Sequence, residues 1–299
     1  MSSPDDATVR VRAHRSYLFA PGCDEAVMRK ALAAGSDAVV LDLEDAVAPD
    51  RKDLARTAVA RLLDELAGSP RTIDAPAVHV RINRHEDGYN ARDLDVAVHP
   101  AVEALRLPKA EDADAIRAAA DAITVREQAL GMPPSVVHLY PTIESAKGVL
   151  RAEEIAASSP RVLRLVVGEA DLVADLDGRG DDALTTLIPR SLVVLASRAA
   201  GIAAPVDGAT TILNDEEALN DALVRARALG FHGKSAIHPR QLAAIHTHFT
   251  PDAAELAHAA RVVASADAAG GGATTLDGEL VDIAVVRRAR GLLSLRRER

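Results

Sequence analysis

The chain has 299 residues, of which 48% are hydrophobic and 26% charged, proportions typical of a globular protein with one large domain or two ordinary ones. With three Tyr, three Phe, no Trp and a formal net charge of −9, it lacks the aromatic surface and the positive charge with which proteins bind nucleic acid. A single cysteine, Cys23, excludes an internal disulfide and a thiolate zinc site, and the lack of a signal-like or membrane-spanning apolar run predicts a soluble, cytoplasmic protein without a membrane partner.

Eight short apolar segments are predicted as β-strands, and their starts lie about 31 residues apart on average, the length of a βα unit. They are Ser16–Ala20, Asp37–Leu41, Ala77–Ile82, Ala104–Leu107, Val136–Tyr140, Val162–Val167, Ala203–Val206 and Gly233–Ile237. Continuous apolar strands that alternate with helices indicate parallel strands buried on both faces. Eight such units predict an α/β fold of the (β/α)8 TIM-barrel type over residues 12–248.

Helical patterns fill the intervals between these strands, for example Glu25–Ala34, Asp50–Leu66 and Asp112–Leu130. After the eighth strand the pattern changes to two further helices, Pro251–Ala266 and Leu280–Arg297, on either side of a glycine hinge at 270–272. A barrel does not need this tail. We therefore predict that residues 249–299 form a C-terminal helical lid, or an arm that lies across a neighbouring subunit.

Two acidic residues at the ends of neighbouring predicted strands are candidate metal ligands. In a barrel, polar residues at the carboxyl ends of the strands face the ligand site, which places Glu144 and Asp171 together. Carboxylates from separate strands form the oxygen-only environment that Mg²⁺ prefers, and Mn²⁺ accepts the same ligands. The alternative is structural, with Glu144 capping the helix that begins at Ser145 and Asp171 capping the next helix.

Two basic residues at strand ends carry alternatives that the sequence leaves open. Arg81 is placed to hold a carboxylate or polarise a carbonyl; the alternative is a buried ion pair with Glu44 or Asp45, and the two roles are compatible. Lys109 is placed to form a Schiff base if it is desolvated, although the neighbouring Glu111 favours an ordinary ion pair.

Taken in order, eight segments resemble one family, the citrate lyase β-subunit-like acyl-CoA lyases of the HpcH/HpaI aldolase group. The segments are Arg15–Gly22, Leu41–Val47, Arg81–Asn83, Leu107–Lys109, Ile143–Ser145, Gly168–Leu172, Gly233–Gln241 and Asp277–Asp282. Two positions depart from the family pattern. Ala170 stands where many members carry an acid, with Glu169 one residue earlier, and the tail reads Glu-Leu-Val-Asp where Lys-Met-Ile-Asp is common.

The resemblance implies a role for each matching residue. Glu144 and Asp171 look like the Mg²⁺ ligands, and Glu44 and Asp45 look like the acids that orient water around the metal. Arg81 looks like the group that binds the oxygen of the 2-oxo acid. The remaining matches are Arg15 and Lys234, which look like acyl-CoA contacts, and Asp282, which looks like an acid/base supplied by a neighbouring subunit.

The resemblance also implies an activity and an assembly. We expect a Mg²⁺-dependent carbon–carbon lyase that cleaves, or in reverse forms, a 3-hydroxyacyl-CoA such as citryl-, malyl- or citramalyl-CoA, giving an acyl-CoA and a 2-oxo acid. Shared active sites imply a homo-oligomer, a trimer or a hexamer. Three alternatives stay open: a malyl-CoA thioesterase or malate synthase activity, a class II aldolase acting on free 2-keto acids, and a non-catalytic acyl-CoA-binding subunit.

Overall fold

Parallel strands form the centre of the larger of two units into which the chain divides. The computed structural model describes residues 14–70, 72, 74–84, 90–180 and 182–295, so the predicted domain start at 12 and the end of the predicted helix at 297 lie outside the described residues. One unit is His14–Ile245, and the described part of the other is 246–295. Among the described helices, none has the length and apolarity needed to cross a membrane.

The larger unit contains a seven-stranded parallel sheet with the order β6-β5-β4-β3-β2-β1-β7. Its strands are β1 Ser16–Pro21, β2 Ala38–Asp42, β3 Ala77–Arg81, β4 Ala104–Leu107, β5 His138–Ile143, β6 Val166–Val167 and β7 Lys234–Ala236. Every residue of β2 and β4 is buried, as the continuous apolar runs predict for strands covered on both faces. Tyr17, Val40 and Tyr140 pack together with Val206 in a core cluster on one side of this sheet.

The seventh predicted strand, Ala203–Val206, is wrong as a continuous strand, although its residues do pair with the sheet. Val206 forms a single parallel bridge to Val166 at one edge, and Asp207 forms one to Lys234 at the other. Pro205 has no backbone N–H to donate, which limits this segment to isolated bridges.

Helices follow the strands of the larger unit as predicted for βα units. They are α1 Glu25–Leu32, α2 Lys52–Ala67, α3 Asn90–Ala97, α4 Ala113–Ala129, α5 Ala146–Leu150, α6 Ala152–Ala156, α7 Glu169–Asp175, α8 Asp182–Ala199, α9 Glu216–Leu229 and α10 Leu242–Phe249, the last of which runs past the unit boundary. Aspartates cap three of them: Asp24, Asp112 and Asp215 accept hydrogen bonds from backbone N–H groups in the first turns of α1, α4 and α9.

The smaller unit contains two helices and a β-hairpin, α11 Ala253–Ala268, β8 Thr274–Leu276, β9 Glu279–Val281 and α12 Ile283–Ser294. The predicted helix start at Leu280 is wrong, because residues 279–281 pair with β8 and Asp282 caps α12 instead. Asp277 and Gly278 both have positive φ, the conformation that an Asp-Gly hairpin turn requires. The predicted hinge at 270–272 is a turn between α11 and the hairpin.

Candidate active site

An ion pair between neighbouring strands fixes the first part of the site. Asp42 is the last residue of β2 and lies in register with Arg81, the last residue of β3. The Arg81 guanidinium donates from Nε to Asp42 Oδ1 at 2.7 Å and from Nη2 to Oδ2 at 2.6 Å, a bidentate pair that sets the plane of the guanidinium. The same carboxylate accepts from the backbone N–H groups of Glu44 and Ala46, so it also shapes the acidic loop after β2.

A buried lysine, Lys52, holds the acidic loop after β2 in place through the backbone of that loop. Lys52 Nζ donates to the carbonyl oxygens of Leu43 and Glu44 and to Asn83 Oδ1, each at 2.7 Å. The Glu44 carboxylate, which is only 4% exposed, then lies 2.9 Å from Arg81 Nη1. Arg81 therefore carries an ion pair with Glu44 in addition to the one with Asp42.

Glu144 follows β5 directly and is held by a backbone donor from the neighbouring strand end. The Lys109 N–H donates to Glu144 Oε1 at 2.6 Å, and Lys109 has a left-handed φ of 48°, a conformation that costs a non-glycine residue energy. Among the described residues, none donates a hydrogen bond to the other oxygen, Oε2. One carboxylate oxygen is thus fixed by the protein and the other is left for a ligand.

Gly168 leaves the space that the Glu144 side chain occupies. A Cβ built at position 168 would lie 2.6 Å from Glu144 Cβ, closer than real Cβ contacts come. Glycine is therefore required here for reasons of space.

A cavity of about 230 Å³ brings the candidate groups together, and it includes Arg81, Glu144, Asp171 and the deeper Arg106 in its lining. Pockets for drug-sized ligands run from about 300 to 1,000 Å³, so this one suits a smaller molecule. Asp171 lies in the first turn of α7 and is exposed, whereas Glu144 is buried. The two acids thus approach the cavity from solvent and from the protein interior.

Burial and the repulsion between neighbouring carboxylates raise the pKa values of two acids of the site. Burial, and after it the neighbouring Asp171 carboxylate, raise the pKa of Glu144 to about 7. Burial, Asp45 and Glu144 raise the pKa of Glu44 to about 7 against the lowering effect of Arg81. A divalent cation would relieve this repulsion, and an all-carboxylate donor set with an unused Oε2 suits Mg²⁺ or Mn²⁺. Glu144 and Asp171 are the residues that fit as its ligands.

The structural alternatives raised by the sequence can now be decided for several residues. Ser145, not Glu144, caps α5, and Asp171 lies inside α7, which begins without a side-chain cap. Lys109 Nζ lies 3.8 Å from Glu44, whereas Glu111 pairs with Ser145 and Lys147, so the predicted Lys109–Glu111 pair is wrong. His238, which follows β7, caps the short helical turn that begins at Pro239.

The other predicted site residues lie at the starts of strands, on the exposed part of the acidic loop, or in the other unit. Arg15 precedes β1 and donates from its guanidinium to both oxygens of Asp37, while Lys234 begins β7, is fully buried and donates to Asp207 at 2.7 Å. Their prediction as acyl-CoA contacts finds no support in these positions. Asp45 is exposed, with Oδ2 3.7 Å from Arg81 Nη1. Asp282 belongs to the smaller unit, where it accepts hydrogen bonds from the N–H groups of Ala284 and Val285.

Four residues of the site had no assigned role in the sequence: Asp42, Lys52, Arg106 and Gly168. The strand ends carried a signal for Asp42, since equal strand positions place it beside Arg81. Lys52 and Arg106 are buried charges, and neither composition nor periodicity marks a lysine on a helix or an arginine on a strand as buried. The close approach of Glu144 to Gly168 depends on the fold and has no local sequence signal.

Comparison with known proteins identifies relatives along nearly the whole chain. The family model described as HpcH/HpaI aldolase/citrate lyase matches residues 15–239. A citrate lyase subunit beta from Leuconostoc mesenteroides subsp. cremoris is 34% identical over 290 residues, 95% of this chain and 93% of the relative. An L-malyl-CoA/beta-methylmalyl-CoA lyase from Cereibacter sphaeroides is 33% identical over 302 residues, 93% of each chain.

Solved structures include a similar chain with ligands bound. The crystal structure of protein CitE from Mycobacterium tuberculosis in complex with magnesium, acetoacetate and coenzyme A matches with a TM-score of 0.74 and 30% identity. The match covers 95% of this chain and 99% of that one.

Gly168→Ala tests the packing that places Glu144. We expect the added methyl group to displace Glu144 and to weaken Mg²⁺ binding by roughly 10-fold or more, as loss of support around metal ligands does. Calorimetric titration with Mg²⁺ measures this, and Gly68→Ala is the matched control, since a Cβ there makes only an ordinary contact of 3.5 Å with Asp64 O. Unchanged Mg²⁺ affinity in a folded Gly168→Ala variant would contradict the placement.

Proposed function

The chain belongs to the HpcH/HpaI aldolase/citrate lyase family, and on that premise we propose that it is a Mg²⁺-dependent carbon–carbon lyase acting on a 3-hydroxyacyl-CoA. The products are an acyl-CoA and a 2-oxo acid, and the reverse condensation uses the same groups. The observation that carries this proposal is the single cavity lined by Glu144, Asp171 and Arg81. The ligands of the tuberculosis protein, magnesium, acetoacetate and coenzyme A, support it.

The reaction breaks the bond between C2 and C3 of the thioester. The 3-hydroxyl group loses its proton and becomes the carbonyl oxygen of the 2-oxo acid, while the electron pair of the broken bond remains on the acyl-CoA as an enolate that takes up a proton at C2. Mg²⁺ held by Glu144 and Asp171 would supply positive charge to the carboxylate and carbonyl oxygens of the oxo acid.

Arg81 provides the fixed positive charge of the site. Its guanidinium is bound by Asp42 and Glu44 before any substrate arrives, so it faces the reacting oxygen without having to reorient. Glu44 and Asp45 keep the surroundings of the metal acidic. Arg15 and Lys234 take no part in this step.

We propose that Asp282 of a neighbouring copy donates the proton that C2 takes up. The active form is then a homo-oligomer, a trimer or a hexamer. What supports this is the surface around Asp282, where Leu280 is 63% and Ile283 is 77% exposed. Large apolar side chains beside a functional acid are typical of a surface that another chain covers. In this proposal the residues from 249 onward act as the arm.

We also propose that the sheet closes into an eight-stranded barrel, with residues 206 and 207 as the eighth member. The two bridges from Val206 to Val166 and from Asp207 to Lys234 support this, because they link the edge strands β6 and β7. Closure would place all the strand ends around one mouth, as the shared cavity requires.

Removal of either metal ligand tests the function directly. We expect wild-type protein to cleave at least one of citryl-, malyl- and citramalyl-CoA with Mg²⁺, and Glu144→Gln or Asp171→Asn to lower that rate by at least about 100-fold. Glu111→Gln is the control, because Glu111 pairs with Ser145 and Lys147 and does not line the cavity.

Measurement of acyl-CoA and 2-oxo acid together separates cleavage from the alternatives. Free thiol without acyl-CoA would indicate hydrolysis, and cleavage of a free 2-keto-3-deoxy acid would indicate an aldolase. Full activity in a folded Glu144→Gln or Asp171→Asn variant would contradict the metal assignment.

Asp282→Asn tests the shared site while keeping the helix cap, since Asn caps as well as Asp. We expect turnover to fall by roughly 100-fold with little change in substrate binding. The control is Asp252→Asn, which changes the cap of α11 in the same way. Co-expression of Asp282→Asn with Glu144→Gln copies should restore activity, because a mixed oligomer contains sites with both acids intact. If mixed oligomers do not regain activity, the proposal that Asp282 acts in the site of a neighbouring copy is wrong.

A further inference from the structure

Arg106 is a buried guanidinium without a partner. Its side chain is fully buried on β4, and no described residue accepts a hydrogen bond from its Nε, Nη1 or Nη2. The other buried arginines of the described chain all have an acceptor or counter-ion: Arg56 with Asp93, Arg161 with Glu127, Arg164 with the carbonyl oxygen of Ala204, and Arg190 with Asp207. Because an unpaired buried charge is strongly destabilising, Arg106 requires an explanation.

Aromatic rings hold this cation in place without neutralising it. The central carbon of the guanidinium lies 4.5 Å from the ring centre of Tyr17, 5.5 Å from that of Tyr140 and 5.8 Å from that of Phe19. Cation–π contacts of this kind recover part of the desolvation cost, but they leave the N–H groups unused. The rings therefore stabilise the positive charge of Arg106, while its N–H groups remain without an acceptor among the described residues.

Arg106 also lines the cavity that contains the metal ligands. It lies in register with Arg81 on one side and with Tyr140 on the other, and Glu144 follows Tyr140 by four residues towards the carboxyl end of the sheet. Arg106 therefore lies deeper in the sheet than Glu144. Arg81 already has two carboxylate partners, Asp42 and Glu44, whereas Arg106 has no hydrogen-bond acceptor among the described residues.

We infer that Arg106 forms a carboxylate-binding subsite at the floor of the cavity, which selects substrates whose 2-oxo acid portion carries a second carboxylate. This inference rests on the proposed lyase function, in which the first carboxylate and the carbonyl group of the oxo acid face the Mg²⁺ that Glu144 and Asp171 would hold. An oxo acid of the oxaloacetate type would then use both ends of the cavity. One of the pyruvate or glyoxylate type would leave Arg106 buried without its anion.

The binding test uses stable 2-hydroxy acids with Mg²⁺ present. Malate carries the second carboxylate and lactate lacks it, so we expect calorimetry on the wild type to favour malate by roughly 10- to 100-fold, the range for hydrogen bonds to charged groups. Arg106→Met should remove most of this preference, mainly through malate, and Arg106→Lys should retain part of it. Arg164→Met is the control, since Arg164 is buried but does not line the cavity.

Cleavage rates then separate a failure of the inference from a failure of the function. We expect Arg106→Met to lower kcat/KM for citryl-CoA by roughly 10- to 100-fold more than it lowers kcat/KM for citramalyl-CoA. An unchanged malate-to-lactate ratio, with both thioesters still cleaved in the wild-type proportion, would overturn the subsite alone. Absence of cleavage of any CoA thioester by the wild type would overturn the lyase function, and the subsite with it.

Discussion

The repulsion between carboxylates at one end of the parallel sheet is the constraint on which the site depends. Glu144 is buried, and both its burial and the nearby Asp171 raise its pKa to about 7. The fold holds Glu144 in place with the Lys109 N–H and with the space left at Gly168. A divalent cation bound between Glu144 and Asp171 would offset the repulsion between the two carboxylates and so stabilise the folded chain. Metal binding and folding are coupled in this way.

The sheet creates this constraint through register. Pairing of β2 with β3 places Asp42 beside Arg81, and the bidentate ion pair then sets both the guanidinium and the acidic loop that carries Glu44. Lys52 and Asn83 hold the same loop from the other side. The positive group of the site is thus fixed by buried contacts before a ligand binds, the condition under which electrostatic stabilisation is largest.

The sequence predicted the parallel α/β fold and the grouping of Arg81, Glu44, Glu144 and Asp171, because continuous apolar strands and polar strand ends are local patterns. It did not predict what depends on contacts distant in sequence. The seventh predicted strand, Ala203–Val206, has a strand-like pattern but contains Pro205, and it forms only isolated bridges. Leu280 has a helix-like pattern, but the preceding Asp277-Gly278 turn pairs it with β8. Lys234 and Arg15 follow family motifs, yet Lys234 pairs with Asp207 and Arg15 pairs with Asp37, which no spacing along the chain reveals.

The most direct test of the account is the position of the metal itself. Anomalous scattering from crystals soaked with Mn²⁺ should give a peak about 2.1 Å from carboxylate oxygens of both Glu144 and Asp171, with Arg81 in the same cavity. The described chain offers one competing group of suitable ligands, His14, His79 and Glu103, whose ligand atoms all lie within 4.8 Å of one another. A Mn²⁺ peak at that group and none at Glu144 and Asp171 would contradict the account.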